Sequence, residues 1–123
     1  MNNTAISYNA IRALVYQQLQ VPVYTQSSYA NSNIVLPAII FSRSNTSTTY
    51  NYMGMDNVNV YTDNVTFSIQ DQTIESVETI RDFLIGLLDG YESSFALDSE
   101  TNSFSIETGI YNRDVNFTVI YKQ

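Results

Sequence analysis

The stretch from Asp71 to Gly90, DQTIESVETIRDFLIGLLDG, is the clearest helix in the sequence, and the rest of the chain is interpreted around it. Its apolar residues recur at steps of three and four, which places them along one side of a helix with 3.6 residues per turn. They are Ile74, Val77, Ile80, Phe83, Leu84, Leu87 and Leu88. Asp71 or Thr73 can cap the first turn, and Gly90 can take the left-handed conformation that ends a helix. A helix with one apolar face needs a sheet or a second helix to cover it.

A second amphipathic pattern predicts a first helix from Thr4 to about Leu19. Pro22 ends it, because proline disfavours helical geometry at the residue before it. The candidate caps of this helix are Asn2, Asn3 and Thr4. Gly86, inside the central helix, predicts either close packing against another backbone or a slight local weakness.

The segment from Ile34 to Arg43, IVLPAIIFSR, predicts a strand. Its apolar run is nearly continuous, which is typical of a strand covered on both faces, whereas Pro37 cannot donate to a ladder and favours an edge or a bulge. Helices on one face and a neighbouring subunit on the other would satisfy both observations. Ile34 and Leu36 are therefore candidate interface residues.

The remaining strands follow from alternation. Val58 to Gln70 predicts one long strand in preference to a hairpin, with a bulge or turn allowed at Thr62 to Asn64. The C-terminal part predicts a short strand at Ser94 to Leu97, a polar turn at Asp98 to Asn102, and a hairpin of Phe104 to Tyr111 and Asp114 to Tyr121 around Asn112-Arg113. The order α-β-β-α-β-β predicts an α+β fold of two layers, with a mainly antiparallel sheet and both helices on one face.

The segment from Ser44 to Asn57, SNTSTTYNYMGMDN, predicts a long connection, and connections of this length are usually functional or mobile. It carries an aromatic and methionine cluster of the kind enriched at protein contacts. The cluster consists of Tyr50, Tyr52, Met53 and Met55. Contact with another subunit and folding back onto the same domain are equally compatible with this pattern.

Composition limits the classes of function. The 123 residues predict one domain, residues 1–123, and 44% hydrophobic residues exclude a disordered chain. Only 14% of the residues are charged, so that much of the surface can be covered by partners at a low desolvation cost. The net charge of −7 argues against specific nucleic-acid binding through phosphate contacts, although acidic surfaces suit a place where DNA slides past.

The residues needed for common enzyme chemistry are missing. The chain has no His and no Cys, no nucleophile-elbow pattern and no phosphate-binding glycine loop. The spacing of Asp98, Glu100 and Asn102 is similar to the start of a calcium-binding loop. The glycine and the final acidic residue that such a loop requires are missing, so a polar turn is favoured. A glycoside hydrolase would require a pair of catalytic carboxylates, and the sequence does not distinguish any such pair from ordinary solvated acids. A non-enzymatic binding or assembly protein without metal or cofactor is predicted. No signal peptide or membrane span is present, which predicts synthesis in the cytoplasm and no membrane partner.

The order of features resembles the tail terminator (tail completion) proteins of long-tailed bacteriophages. The resemblance covers essentially the whole chain. It concerns the order of the elements and the type of residues in each, and it includes no invariant motif. It is carried by the opening helix, the Val21-Pro22-Val23-Tyr24 segment, the Leu36-Pro37-Ala38-Ile39-Ile40-Phe41 strand, the long connection, the Val65 to Gln70 strand that runs into the Asp71 to Leu88 helix, and the final hairpin.

The resemblance implies a homohexameric ring on the head-proximal end of the tail tube. Such a ring ends tube polymerisation and presents a docking face to the head connector. The implied partners are further copies of the chain, the tail tube protein and the head-completion or connector protein, while DNA passes through the lumen without specific binding. The implied location is the tail or neck of the virion, assembled in the host cytoplasm. The alternatives are a head-completion or neck protein, or a small binding module such as an adaptor or inhibitor.

Overall fold

The computed structural model describes residues 7–25, 35–50 and 59–122. Two α-helices lie on one face of a five-stranded sheet, which confirms the predicted α+β class. In chain order the elements are α1 (Tyr8–Leu19), β1 (Val23–Thr25), β2 (Ala38–Tyr50), β3 (Asn59–Asp71), α2 (Ile74–Leu88), a 3-10 turn (Tyr91–Ser93), β4 (Phe95–Ser105) and β5 (Ile110–Lys122).

The sheet has the strand order β1-β2-β3-β5-β4. All neighbouring pairs are antiparallel except β1 and β2, where Val23–Thr25 runs parallel to Ile39–Phe41. The predicted order lacked only β1, which lies in the short extended piece that the sequence predicts at the start of the connection from Val21 to Asn33. Three residues carry too short a pattern to identify a strand from the sequence alone.

The central helix α2 confirms the predicted amphipathic stretch, although only part of the apolar set is buried. Its N-cap is Thr73, whose Oγ1 accepts a hydrogen bond from the Ser76 backbone nitrogen at 3.3 Å. Four side chains are buried against the sheet and α1, namely Val77, Ile80, Leu84 and Leu88. Phe83 is 66% exposed because it lies about 120° around the helix from Val77. Ile74 is 44% exposed because it opens the helix at the end of the sheet.

The face of the sheet under the helices is apolar. Alternate residues of β3 and β5 point into this layer, and their buried members are Val65, Phe67, Ile69, Val115, Phe117, Val119 and Tyr121. Phe67 and Phe117 meet edge to face with 6.0 Å between ring centroids, a geometry that aromatic pairs favour. The period-two pattern that predicted β3 therefore reports burial on one face, and β3 is one long strand as predicted.

Strand β2 is longer than the sequence analysis predicted. It runs from Ala38 to Tyr50, so residues 35–37 of the predicted strand lie outside it, whereas the first half of the segment predicted to be a connection belongs to it. The register shift lies between Arg43 and Asn45 of β2, so the bulge that the sequence allowed at residues 62–64 of β3 lies on the partner strand. The second half of β2, residues 44–50, is called distal β2 here. Its polar sequence shows no hydrophobic period, and only its pairing with β3 identifies it as a strand.

The C-terminal hairpin also differs from the prediction. The turn is formed by residues 106–109, not by Asn112-Arg113, and the stretch expected to be a polar turn at Asp98 to Asn102 belongs to β4. A register shift between Leu97 and Ser99 marks a bulge, which moves Glu100 onto the helix-covered face. The bulge interrupts the alternation, and this is why the strand looked broken in the sequence.

Helix α1 begins at Tyr8 with Ser7 as its N-cap, so the predicted caps near Thr4 were wrong. The Ser7 Oγ accepts a hydrogen bond from the Ala10 backbone nitrogen at 3.4 Å. Ile11 and Val15 are its buried residues, and both belong to the same core cluster as the buried face of α2. The two helices therefore form one layer on one face of the sheet.

The open space around Gly86 gives a test of the helix assignment. An added Cβ would meet nothing within 4 Å, so the predicted close packing was wrong and the residue only weakens the helix. Gly86→Ala is expected to raise the free energy of unfolding by about 0.5–1 kcal/mol, measured by urea denaturation. Gly90→Ala is the matched control and is expected to lower it, because Gly90 has a φ of +80°.

Candidate interaction surfaces

The residues predicted as an interface are only partly within the described structure. Ile34, Tyr52, Met53 and Met55 lie outside the described residues. Tyr50 is the last residue of β2 and pairs with Asn59, the first residue of β3. Leu36 is half-buried just before β2 begins. The segment that carries the Tyr and Met cluster therefore joins two neighbouring antiparallel strands at one end of the sheet.

A buried carboxylate, Asp63, links α1 to the sheet. Its side chain is fully buried, and its Oδ2 accepts a hydrogen bond from the Tyr8 hydroxyl. The Arg43 Nη1 lies 3.8 Å from the same oxygen, and the Arg43 guanidinium lies over the Tyr8 ring, 5.5 Å from its centroid. The Asp63 Oδ1 has no hydrogen-bond partner among the described residues. This cluster fixes the first turn of α1 on β3.

The tyrosines around Asp63 titrate abnormally. Burial raises the pKa of Tyr8, and the hydrogen bond to Asp63 and its negative charge raise it further. Burial also raises the pKa of Tyr121, with a smaller contribution from the Asp63 charge. Both hydroxyls therefore stay protonated well into the alkaline range. The burial of Asp63 is not evident from the sequence, because an acid in a polar Thr-Asp-Asn run shows no sign of burial.

An arginine and carboxylate network joins α2 to the C-terminal hairpin. Arg81 of α2 holds Glu100 of β4 with two hydrogen bonds, from Nε to Oε1 at 2.6 Å and from Nη2 to Oε2 at 2.7 Å. Arg113 of β5 lies 3.7 Å from Glu100 and 3.7 Å from Glu78. Paired, two-point contacts of this type are the stronger class of surface ion pair.

This network changes the interpretation of two predicted features. The hydrogen bonds from Arg81, together with the positive charges of Arg81 and Arg113, lower the pKa of Glu100, and the pKa of Arg81 is raised by the same contact. Glu100 therefore acts as a helix-to-strand clamp and not as part of a solvated turn. Glu78 and Asp82 are exposed acids of α2 that the sequence does not distinguish from solvated ones, and each has an arginine within 4.0 Å.

The open face of the sheet, which the helices do not cover, is polar and nearly uncharged. Asp114 is the only charged side chain that the structure describes on it. Cross-strand hydrogen bonds connect its side chains, from Thr66 Oγ1 to Asn116 Oδ1 at 2.6 Å and from Ser68 Oγ to Asp114 Oδ1 at 2.7 Å. Depletion of charge is characteristic of surfaces that become the core of an interface.

Two concave regions lie towards the end of the sheet where β3 runs into α2. A shallow groove of about 570 Å³ on the open face is lined mainly by Ser, Thr, Asn and Gln side chains, together with Ile40, Ile110 and Asp114. A smaller one of about 260 Å³ lies on the helix side, where Ile74 faces Phe104 and Tyr111. The Phe104 and Tyr111 rings are 4.4 Å apart, and Phe104 is 48% exposed. Both regions offer surface for a protein partner.

The described residues hold no constellation typical of catalysis or metal binding. Within residues 7–25, 35–50 and 59–122, no group of three or more acidic side chains gathers as a metal site would require. Neither of the described helices has the length and hydropathy needed to cross a bilayer.

Comparison with known proteins adds one observation about the fold. No protein-family model matches this chain, and no curated protein matches it. Among solved structures, the chain is similar to a component of the virion of a native gene transfer agent (GTA) particle. The TM-score is 0.68 at 11% sequence identity, over 98% of this chain and 100% of that chain. At this identity the similarity concerns the fold alone.

The Asp63 cluster gives a testable prediction. Tyr8→Phe is expected to lower the free energy of unfolding at pH 7 by about 1–3 kcal/mol, because a buried carboxylate loses its hydrogen-bond donor. Urea denaturation of the variant measures this, with Tyr16→Phe on the same helix as the control, since Tyr16 is 52% exposed. The Tyr8 contribution should shrink above pH 10, because the unfolded tyrosine ionises there while the folded one, with its raised pKa, does not.

The Glu100 clamp gives a second prediction. Glu100→Gln is expected to cost about 1–2 kcal/mol of stability at pH 7, because it removes the charge that Arg81 contacts. The folded pKa of Glu100 is lowered from 4.5, so the stability it contributes is complete above that value and is lost as the pH falls below it. Denaturation curves of both proteins between pH 7 and pH 3 should therefore converge at the acidic end. An equal difference at every pH would contradict the clamp, and Asp98→Asn serves as the exposed control.

Proposed function

We propose that this chain is a virion structural protein, a single tail-terminator-like domain that assembles into a hexameric ring. The ring caps the head-proximal end of a phage tail tube, ends tube polymerisation and provides the docking face for the head connector. Its partners are further copies of itself, the tail tube protein and the head-completion or connector protein. It performs no catalysis, binds no cofactor, and acts in the virion after assembly in the host cytoplasm.

The observation that carries this proposal is the similarity in fold to a component of a virion, over nearly the whole of both chains. The predicted order of elements, which carries the resemblance to tail terminators, agrees with the described elements apart from the added strand β1. The similarity in fold and the resemblance in the order of elements therefore both support a role in virion architecture.

The distribution of charge supports an assembly function. The open face carries one described charge, Asp114, so that a partner can cover it without stripping water from many ions. The helix layer instead displays acids, with Glu75 on α2 and Asp89 at its end both exposed and without an arginine within 4.0 Å among the described residues. A surface with these acids repels the DNA backbone, as suits a lumen through which DNA passes without binding.

The shape of the sheet also suits a ring. A closed ring needs a head-to-tail contact between two different surfaces of the same chain. Strands β1 and β4 lie at opposite edges of the sheet, so each copy can present one edge region to either neighbour. Tyr50 and Asn59 pair at one end of β2 and β3, and in this proposal the connection between them contacts the tube or the connector.

Electron micrographs of tails assembled with and without this protein test the proposal. Without it we expect tube polymerisation to continue past the normal length, and with it we expect tubes of uniform length that bear a collar at one end. Native mass spectrometry should give a mass of six chains for the ring, formed alone or on the tube. Tails of normal length that fail to join heads would favour a head-completion protein, and a permanent monomer without effect on tails would favour a binding module.

The Tyr and Met connection gives a prediction about capping. Tyr52→Glu combined with Met53→Glu is expected to weaken the binding of the protein to tube ends at least tenfold, measured by titration against tubes. The reason is that charges at the centre of an apolar contact must be desolvated. The fold should be unaffected, which far-UV circular dichroism and thermal unfolding measure. Asn51→Glu in the same connection is the control for added charge. Unchanged capping by the double variant would remove this segment from the interface.

A further inference from the structure

Two surfaces with complementary properties lie at opposite edges of the sheet. One is a groove beside α1 and β1, called here the α1 groove, which is lined by Asn9, Arg12, Ala13, Tyr16 and Val23. The other is the turn of the C-terminal hairpin, residues 106–109, called here the hairpin turn. Strand β1 begins the sheet order and β4 ends it.

The α1 groove contains an arginine without a carboxylate. Arg12 donates from Nη2 to the Val23 carbonyl oxygen at 3.2 Å and from Nη1 to Asn9 Oδ1 at 3.3 Å. Its Nε is buried and has no hydrogen-bond partner among the described residues. The arginines at positions 43, 81 and 113 each have a carboxylate within 4.0 Å, whereas Arg12 has none among the described residues. Because the chain has a net charge of −7, a second copy has carboxylates with which Arg12 could pair.

Apart from Arg12 and Asn9, the α1 groove is lined by apolar groups. Ala13, Val23 and the ring of Tyr16 form its walls, and Tyr16 is 52% exposed. The groove has a volume of about 280 Å³. A branched aliphatic side chain would bury its surface there, while an adjacent acid could reach the guanidinium.

The hairpin turn presents that combination of side chains. Ile106 is 89% exposed, the most exposed of the large hydrophobic residues described. Its neighbour Glu107 is exposed and has no hydrogen bond or ion pair among the described residues. The turn is held in shape because the Ser105 carbonyl accepts from the Gly109 nitrogen at 2.8 Å and Gly109 takes a φ of +69°. A preformed turn loses little conformational entropy on docking.

We propose that the hairpin turn of one copy docks into the α1 groove of the next copy, with Ile106 against Tyr16 and Val23 and with Glu107 paired to Arg12. This inference rests on the proposed ring and names the contact between its subunits. Because the two surfaces lie at opposite edges, one copy cannot satisfy its own groove, and each contact adds a further copy in the same sense. Such a heterologous contact generates rings when the rotation closes.

The strand register gives the offset between the two surfaces along the strand direction. Val23 pairs with Ile39, which is in line across the sheet with Ile69, Arg113 and Asn102. The hairpin turn begins beyond the Ser105 and Ile110 pair, three residues from Arg113 along β5. At about 3.4 Å per residue this is a difference of roughly 10 Å.

Charge reversal tests the proposed contact in the full-length protein. Glu107→Arg and Arg12→Glu are each expected to weaken self-association by about tenfold or more, measured by sedimentation equilibrium and native mass spectrometry. Mixing the two variants should restore assembly, because each copy then meets a neighbour of opposite charge at both contacts. The double variant should also assemble alone. Recovery on mixing is a result that a loss of folding cannot produce.

Two further variants control this experiment. Asp98→Arg makes the same change of charge at an exposed position of β4 and should leave self-association within about twofold of the unmodified chain. Ile106→Asp, at a residue with almost no contacts to lose, should disrupt assembly without changing the thermal unfolding temperature. Rings that form equally well with reversed charges would overturn this contact and leave the tail-capping proposal in place. A chain that stays monomeric even on tubes that it caps would overturn the contact as well.

Discussion

The structure depends on one constraint, which is that the helices cover only one face of a five-stranded sheet. The buried residues Val77, Leu84 and Leu88 of α2 are part of one core cluster with alternate residues of β3 and β5, and Ile11 and Val15 add the contribution of α1. Every second residue of each strand must then face water or a partner. That opposite face is built from hydroxyl and amide side chains that hydrogen-bond across the strands, as from Thr66 to Asn116. Two chemically different surfaces follow from this single arrangement.

Two of the described carboxylates hold the helix layer and the sheet together. Asp63 receives the Tyr8 hydroxyl beneath α1, and Glu100 receives the Arg81 guanidinium beside α2. These contacts use arginine and carboxylate groups between elements distant in sequence, and they leave the open face almost without charge. Arg12 is the exception among the described arginines, because it faces an apolar groove and no carboxylate. An uncharged face and an unpaired arginine are both features that a second protein chain can complete.

Long, regular patterns predicted the fold well, and interrupted patterns did not. The central helix and the strand Asn59–Asp71 were evident because their apolar periods extend over several turns or pairs. The hairpin turn was placed wrongly because the bulge after Leu97 breaks the alternation of β4. Distal β2 was interpreted as a connection because its polar residues have no period, and pairing with β3 alone makes them a strand. Asp63 was missed as a buried group because burial of a single acid depends on which side chains surround it.

The sequence by itself determined the α+β class, the amphipathic helix, the absence of histidine and cysteine chemistry and the acidic balance of the chain. These properties depend on composition and on contacts within a few residues, which a local pattern records. Only the tertiary structure decided which acids are clamped, which face is uncharged, and that Arg12 and the Ile106–Glu107 pair lie at opposite edges of the sheet. The physical reason is that strand pairing joins residues far apart in the chain, and no local period encodes that register.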